Sequence, residues 1–480
     1  MTSKKTMASK NTRSEPACSN DIGRRDFLKT TAAGVSTAVA TGSLVSAALS
    51  RSAHAAGKQL SYAFWPWGSE IVTDNARIFE EQYGEKINLQ PIPGEYAAVL
   101  ETKLASKAPI DMFRAQRGQA SRWYAAGWIR PIDDLPDLDK IKSEMFEGIR
   151  EDSKAWPDGK FLGLTYYNGG PFCLFRNEKV LGAAGYAATA NESDYPQTWD
   201  EVTAQARDIK KKGIVEHPIL PAWYKAWTGT PWALYAHAFS EGEYFVDSNM
   251  VATFGPDTPL LKVLSDWKTW WDEDLVPRAI LTWQDSQMSN SWMKGLHAFH
   301  HYIDYQSFIY SDAANSGDLS TQFNMNPITP GATHDTNLVG HALLAMSTIE
   351  RSDEDLMRVW EMMKFYGWRD KTGDLVVKKR WAREANLEAP FPAVYEDPEV
   401  TAAIKKWLYP PLADESYQWL FNGRERAIAP DLLKAPWFQE WEVVMQQTIE
   451  QEMLIKGSKS PKETVVSMRK LWDKLYKKYV

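Results

Sequence analysis

Between Leu60 and Phe113 short apolar runs alternate with segments of helical length, and this alternation restricts the fold more than any other feature of the sequence. Leu60–Trp65 reads as a strand, Asp74–Tyr83 as a helix opened by a capping Asp, Ile87–Pro91 as a strand, Tyr96–Ser106 as a helix and Ile110–Phe113 as a third strand. Strands separated by helices of about 10–15 residues build parallel βαβ units, so an α/β fold is expected. Ligands of such sheets sit beyond the carboxyl ends of the strands, where the chain turns into the helices. Those ends are Trp65-Pro66-Trp67-Gly68-Ser69-Glu70 and Arg114-Ala115-Gln116-Arg117-Gly118, which carry aromatic and polar groups but no catalytic motif.

The residues ahead of this pattern read as an address. Gly23-Arg24-Arg25-Asp26-Phe27-Leu28-Lys29 sets a twin arginine before an uncharged Ala/Thr/Gly/Ser/Val-rich run from Thr30 to Ser50, the order of a twin-arginine export signal. The run closes on Ala53-His54-Ala55, so cleavage is placed after Ala55, with residues 1–55 as the signal and Ala56 as the first mature residue. A membrane anchor is disfavoured, because a spanning helix needs roughly 20 predominantly apolar residues and this run is rich in Thr, Ser and Gly.

Of the 480 residues, 425 remain once those 55 are removed, enough for two domains with sizeable cores. The leader holds eight of the 55 basic and three of the 62 acidic residues, which leaves 47 and 59 and a mature net charge of −12. Such a surface repels phosphate backbones and argues against a nucleic-acid partner. Cys18 lies in the leader and Cys173 stands alone in the mature chain, so stability rests on the core rather than on an internal disulfide. No lipid-anchoring Cys follows the apolar run, which points to a protein free in the periplasm.

Tryptophan is abundant, at 22 residues. Indole and phenol rings offer flat apolar faces with a polar edge, which suits stacking on the C–H faces of a sugar ring. Trp267, Trp270 and Trp271, at i, i+3 and i+4, instead form a helical stripe expected to pack on the core.

Several ordered segments resemble one family. Residues 92–113 resemble its helix followed by Ala-Pro-Asp-Val, and Gly127-Trp128-Ile129-Arg130-Pro131-Ile132-Asp133-Asp134 resembles its Gly-Leu-x-x-Pro-Leu-Asp-Asp. Asp158-Gly159-Lys160-Phe161-Leu162-Gly163-Leu164 and Pro196-Gln197-Thr198-Trp199-Asp200-Glu201-Val202 are similar to Asp-Gly-Lys-x-Tyr-Gly-x-Pro and Pro-x-Thr-Trp-Asp-Glu-Leu. Further on, Met293–Phe299, Pro327–Gly331, Val339–Ala345 and Lys456–Glu463 follow in the family's order. The chain thus resembles the family 1 extracellular solute-binding proteins, which serve carbohydrate importers.

That resemblance implies two α/β lobes of the periplasmic-binding-protein fold, joined by hinge crossings, with a ligand cleft between them. It places residues 56–168 and 340–392 in the N-terminal lobe and residues 169–339 and 393–480 in the C-terminal lobe. Crossings are expected near Tyr167–Pro171, Asp335–Gly340 and Pro390–Tyr395. It implies a sugar-like ligand, the transmembrane subunits of an ABC permease as partners, a monomer in the periplasm, and no cofactor. Gly169-Gly170 beside Pro171 suits a hinge, or is an ordinary loop pair.

The candidate ligand contacts follow. Of Trp65 and Trp67, at the first strand end, one faces the cleft while the other packs beneath it. Arg114 and Gln116 follow the third strand, with Arg114 set to bond hydroxyls or a carboxylate, or to form a surface salt bridge. Tyr167, beside Tyr166 and Asn168 at the first crossing, either touches ligand or packs between lobes. In the second lobe the resemblance points to Trp223 and Trp227 after Ile219-Leu220, to Trp283, and to Trp437 ahead of Trp441. His301, Asp304 and His341 are hydroxyl readers. A metal at His297, His300, His301 and Asp304 is disfavoured: His-Glu-x-x-His is absent, and a strand here, as the resemblance implies, turns His300 and His301 to opposite sides.

The rival class is a periplasmic carbohydrate-active enzyme. The sequence has no Gly-x-Ser-x-Gly elbow, dinucleotide motif, Cys cluster or P-loop, although a glycoside hydrolase needs only two carboxylates. Binding rather than catalysis is the expected activity.

Overall fold

The computed structural model describes residues 59–225, 229–339 and 342–480; the export signal expected over residues 1–55 lies outside them. Twelve strands form two sheets. The first contains β1 (Leu60–Phe64), β2 (Ile87–Pro91), β3 (Met112–Gln116), β4 (Ile129–Arg130), β5 (Leu164–Tyr167) and β11 (Ala342–Ser347). The second contains β6 (Gly170–Asn177), β7 (Ile219–Pro221), β8 (Phe299–Ile303), β9 (Phe323–Met325), β10 (Thr336–Val339) and β12 (Ala427–Ile428).

In the first sheet β1 lies between β2 and β3, all parallel, and β11 runs antiparallel to β3, β4 and β5. Alternation along the strands divides its two faces. Ala63, Phe113, Ala115, Leu343 and Ala345 pack with Leu100, Leu104 and Trp123 from the helices Tyr96–Ala105 and Arg117–Ala125. On the other face Tyr62 packs against Tyr166 and Tyr366, while Phe79 meets Phe365. That face is covered by the helices Ser69–Tyr83, Asp353–Gly367 and Val376–Ala385.

Two local expectations shift. The first helix starts at Ser69, not Asp74, because Gly68 adopts a left-handed conformation (φ 69°) that turns the chain into the helix directly from the strand end. A Cβ at Gly68 would overlap the Trp381 ring, so only glycine fits that turn. β3 runs from Met112 to Gln116, which places Arg114 inside the strand rather than after it.

In the second sheet β6 is flanked by β8 and β10, with β9 also pairing to it, all antiparallel. The stripe Trp267, Trp270 and Trp271 is buried on the helix Pro259–Asp272, as its spacing predicts. Among the described residues no helix is long and apolar enough to cross a membrane.

The chain passes between the sheets three times. β5 leads into β6 through Asn168-Gly169, β10 leads into β11, and Asn386 ends the helix Val376–Ala385 with a left-handed cap (φ 51°). The third passage therefore begins ahead of Pro390, and Glu388 there forms an antiparallel bridge with Asn168. The first two passages run side by side: Leu338 pairs with Pro171 and Val339 with Gly170 in the second sheet, Ala342 pairs with Tyr167 in the first, and the register shifts by one residue between Ala342 and Leu343.

Gly170 has φ 91°, and a Cβ there would collide with Asp304 Oδ1. Gly170→Ala therefore combines a strained backbone with displacement of a buried carboxylate, and should destabilise the protein by more than about 1 kcal/mol. Denaturant unfolding measures this; an unchanged midpoint would show that the Asp304 carboxylate is free to move.

Candidate functional site

At the carboxyl edge of the first sheet the chain turns through Trp65-Pro66-Trp67, and both indoles remain half-buried. Trp65 packs edge-on against Tyr96 and donates from Nε1 to the Tyr167 hydroxyl at 3.2 Å. Trp67 stacks on Trp381 with ring centroids 5.6 Å apart and planes 10° from parallel. Tyr167 packs on Trp381 in turn, so the three form a continuous aromatic wall.

Arg114 stands behind this wall with 0% exposure. Its guanidinium lies 4.6–5.9 Å from the rings of Tyr62, Phe64, Trp65, Tyr166, Tyr167 and Trp381. Nε donates to Tyr62 Oη at 2.7 Å and Nη1 to Tyr167 Oη at 3.5 Å. Desolvation works against its charge, and the tyrosine oxygens and ring faces around it favour that charge, so it remains a guanidinium.

The carboxyl ends of β7 and β8 provide the facing groups. Tyr302 donates to Asp285 Oδ1 at 2.9 Å, which leaves its oxygen to accept from Tyr224 at 3.0 Å. Burial pushes the Asp285 carboxyl up. Tyr305 follows β8 and is half-buried; burial and the nearby Asp285 carboxylate push its phenol up.

The structure thus brings Trp65, Trp67, Arg114 and Tyr167 into one cluster. Gln116 ends β3 and caps the next helix, its N–H donating to Gln119 Oε1. Trp283 is half-buried and its carbonyl accepts from the Lys225 N–H at 2.8 Å, which pins the loop after β7. Trp227 and His341 lie outside the described residues. Sequence reasoning passed over Trp381 and Tyr305; nothing near Trp381 in sequence marks a site, whereas Tyr305 directly follows Asp304 at a strand end.

Three expected contacts are corrected. Trp223 is fully buried, packed on Trp267 and Trp270, because the helical stripe forms a slot for its ring. His301 is wedged between Phe172 and Trp199, since the register of β8 turns it into the lobe rather than toward the strand ends. Trp437 is enclosed by Trp156, Trp472, Tyr476 and Tyr479 and packs the C-terminal helix in place. Asp304 serves the passages: Arg424 Nε donates to its Oδ2 at 2.9 Å.

His237, Glu241 and Asp266 also converge, with candidate ligand atoms within 4.8 Å of one another. Trp267 Nε1 donates to His237 Nδ1, so the neutral ring carries its proton on Nε2, the atom facing Asp266, and Lys262 already neutralises Asp266 at 2.8 Å. This is an imidazole–carboxylate–lysine packing group, with no free imidazole lone pair for a metal. A small pocket of about 50 Å³ is bounded by β6, Asn326, His334 and the helix Ala413–Glu425. It lies beside the passages in the second lobe and away from the aromatic wall.

Two sheets linked by three passages, with aromatic and hydroxyl groups facing one another from their strand ends, define a two-lobed ligand-binding protein. Solved structures share the architecture. The sugar-binding protein MalE from Xanthomonas citri superimposes with a TM-score of 0.70 at 16% identity, covering 88% of this chain and 98% of that one. The GacH receptor of Streptomyces glaucescens gives 0.67 at 17% identity, covering 88% and 99%. T. maritima MalE3 gives 0.67 at 15% identity, covering 87% and 99%. No curated protein is matched by sequence. Residues 66–366 match the profile of the bacterial extracellular solute-binding proteins, and the chain belongs to that family.

The passages carry an unbalanced set of charges. Arg424 binds Asp304, the Tyr395 hydroxyl at 3.0 Å and the Asn386 carbonyl at 3.1 Å, while Glu388, 0% exposed, lies beside the group without a cation of its own. Burial outweighs the pull of Arg424 in both acids, so Asp304 is pushed up to about 6 and Glu388 to about 8. A raised carboxyl holds a proton in the fold that the unfolded chain has released. Its contribution therefore falls as pH climbs from about 4.5 and is exhausted above about 8. Glu388→Gln should leave the Tm near pH 5 unchanged and raise it at pH 9. Thermal unfolding across pH tests this; equal effects at both ends would mean that Glu388 is already ionised in the fold.

Proposed function

We propose that this chain is the extracytoplasmic receptor of an ABC importer, taking a sugar or sugar-like solute between its lobes and presenting the closed form to the permease. The observation that carries this reading is the half-buried pair Trp65 and Trp67, backed by the buried Trp381 and Tyr167, at the carboxyl edge of the first sheet, with the half-buried Tyr305 and Asp285 in the second lobe. Flat apolar rings accept the C–H faces of a pyranose, and neighbouring polar groups read its hydroxyls. Family membership makes solute binding, not turnover, the activity. Among the matched structures one holds maltose and one D-mannitol, and the GacH receptor is described both unliganded and in complex with acarbose, which supports a polyhydroxylated solute.

The twin-arginine leader delivers the protein across the membrane, and cleavage after Ala55 frees it as a monomer in the periplasm. Residues 56–168 and 340–392 form one lobe and residues 169–339 and 393–480 the other. Closure is a hinge motion: contacts made by solute to both lobes stabilise the closed state and are missing from the open one.

Protein beginning at Ala56 should unfold at higher temperature with one class among sugars, polyols, uronates and amino acids. A solute at 100 times its Kd adds about 2.7 kcal/mol. Trp67→Ala should abolish that shift. A shift with amino acids alone, after removal of endogenous ligand, would overturn the sugar reading.

A further inference from the structure

The surroundings of Arg114 point to the charge of the solute. A guanidinium removed from water is ordinarily matched by a carboxylate, because an unpaired buried charge is costly. Among the described residues Arg114 has none: its partners are the hydroxyls of Tyr62, Tyr167 and Tyr166, all neutral phenols. Aromatic faces offset part of that cost without cancelling the charge.

The Tyr167 oxygen has two lone pairs, and donors are aimed at both: Trp65 Nε1 at 3.2 Å and Arg114 Nη1 at 3.5 Å. Its own proton must point in a third direction, where no described residue offers an acceptor. Tyr167 is 5% exposed, at the strand edge between the half-buried Trp65 and Trp67. The arrangement is a phenol donor polarised by a cation behind it and presented where the chain turns away from the sheet. It calls for an acceptor, and the positive charge favours a negative one. One guanidinium calls for one charge, as on a carboxylate; a phosphate dianion would want further donors or a helix N-terminus.

Resting on the reading of this face as a sugar site, we propose that the solute is an acidic saccharide, a uronate or an aldonate, whose carboxylate accepts the Tyr167 hydroxyl with Arg114 as its counter-charge. The half-buried Tyr305 on the second lobe then serves the remaining hydroxyls. Arg114 acts through Tyr167 and is a positioning residue for the solute.

The test pairs acids with their neutral parents: glucuronate, galacturonate, gluconate and oligogalacturonides against glucose, galactose, sorbitol and maltose, by calorimetry and thermal shift on the mature protein. An acid should bind at least tenfold tighter than its parent, and Tyr167→Phe, which keeps the ring packing, should weaken the acid by about 10- to 100-fold. Arg114→Met should remove the preference for the acid while raising the Tm, since it deletes an unpaired buried charge; an arginine serving only the fold would lower the Tm and leave that preference intact. Neutral sugars binding as well as or better than their acids would sink this inference and leave the sugar reading standing. An acid whose affinity survives Tyr167→Phe would do the same. No binding in either series would overturn both.

Discussion

Arg424 and Asp304 hold the molecule at the point where its two halves meet. The arginine emerges from the helix Ala413–Glu425, the aspartate ends β8, and Asn386, whose carbonyl also binds the arginine, opens the third passage. A pair this deeply buried adds little net stability, because desolvation offsets most of the attraction, but removing either partner strands the other charge. Position is what the pair fixes. Gly170 has to be glycine because the carboxylate occupies the space of its side chain, and burial, with the Asp304 charge adding to it, outweighs the pull of Arg424 and raises the Glu388 carboxyl.

The half of the site near the N-terminus was readable in the sequence. Trp65, Trp67 and Arg114 follow from strand ends in an alternating α/β pattern, where local periodicity carries the information. The face of Arg114 did not follow, because a strand placed two residues too early turns a buried guanidinium into an apparent surface group. Trp381 joins Trp67 across more than 300 residues of chain, and no local pattern encodes such a contact.

The second lobe shows the limit from the other side. Trp223 and Tyr224 are neighbours after the same strand, yet one fills a slot between tryptophans and the other bonds Tyr302 near the strand ends. Successive residues point to opposite sides of extended chain, and the sequence alone does not say which side packs on the tryptophan stripe. Expectations about the fold survived because they rested on many weak signals agreeing, whereas each contact rested on one.

The antiparallel pairing of β5 with β11 on one side of the passages and of β6 with β10 on the other has a mechanical consequence. Two paired strands cannot slide along one another without giving up their ladder of hydrogen bonds, but they bend and twist at little cost. Translation of one lobe over the other is therefore suppressed, and relative movement reduces to rotation about axes fixed by the paired passages. A receptor of this construction has close to a one-dimensional conformational coordinate. A single spectroscopic distance between labels on opposite lobes would then report its whole state, and the permease would have in effect one angle to read.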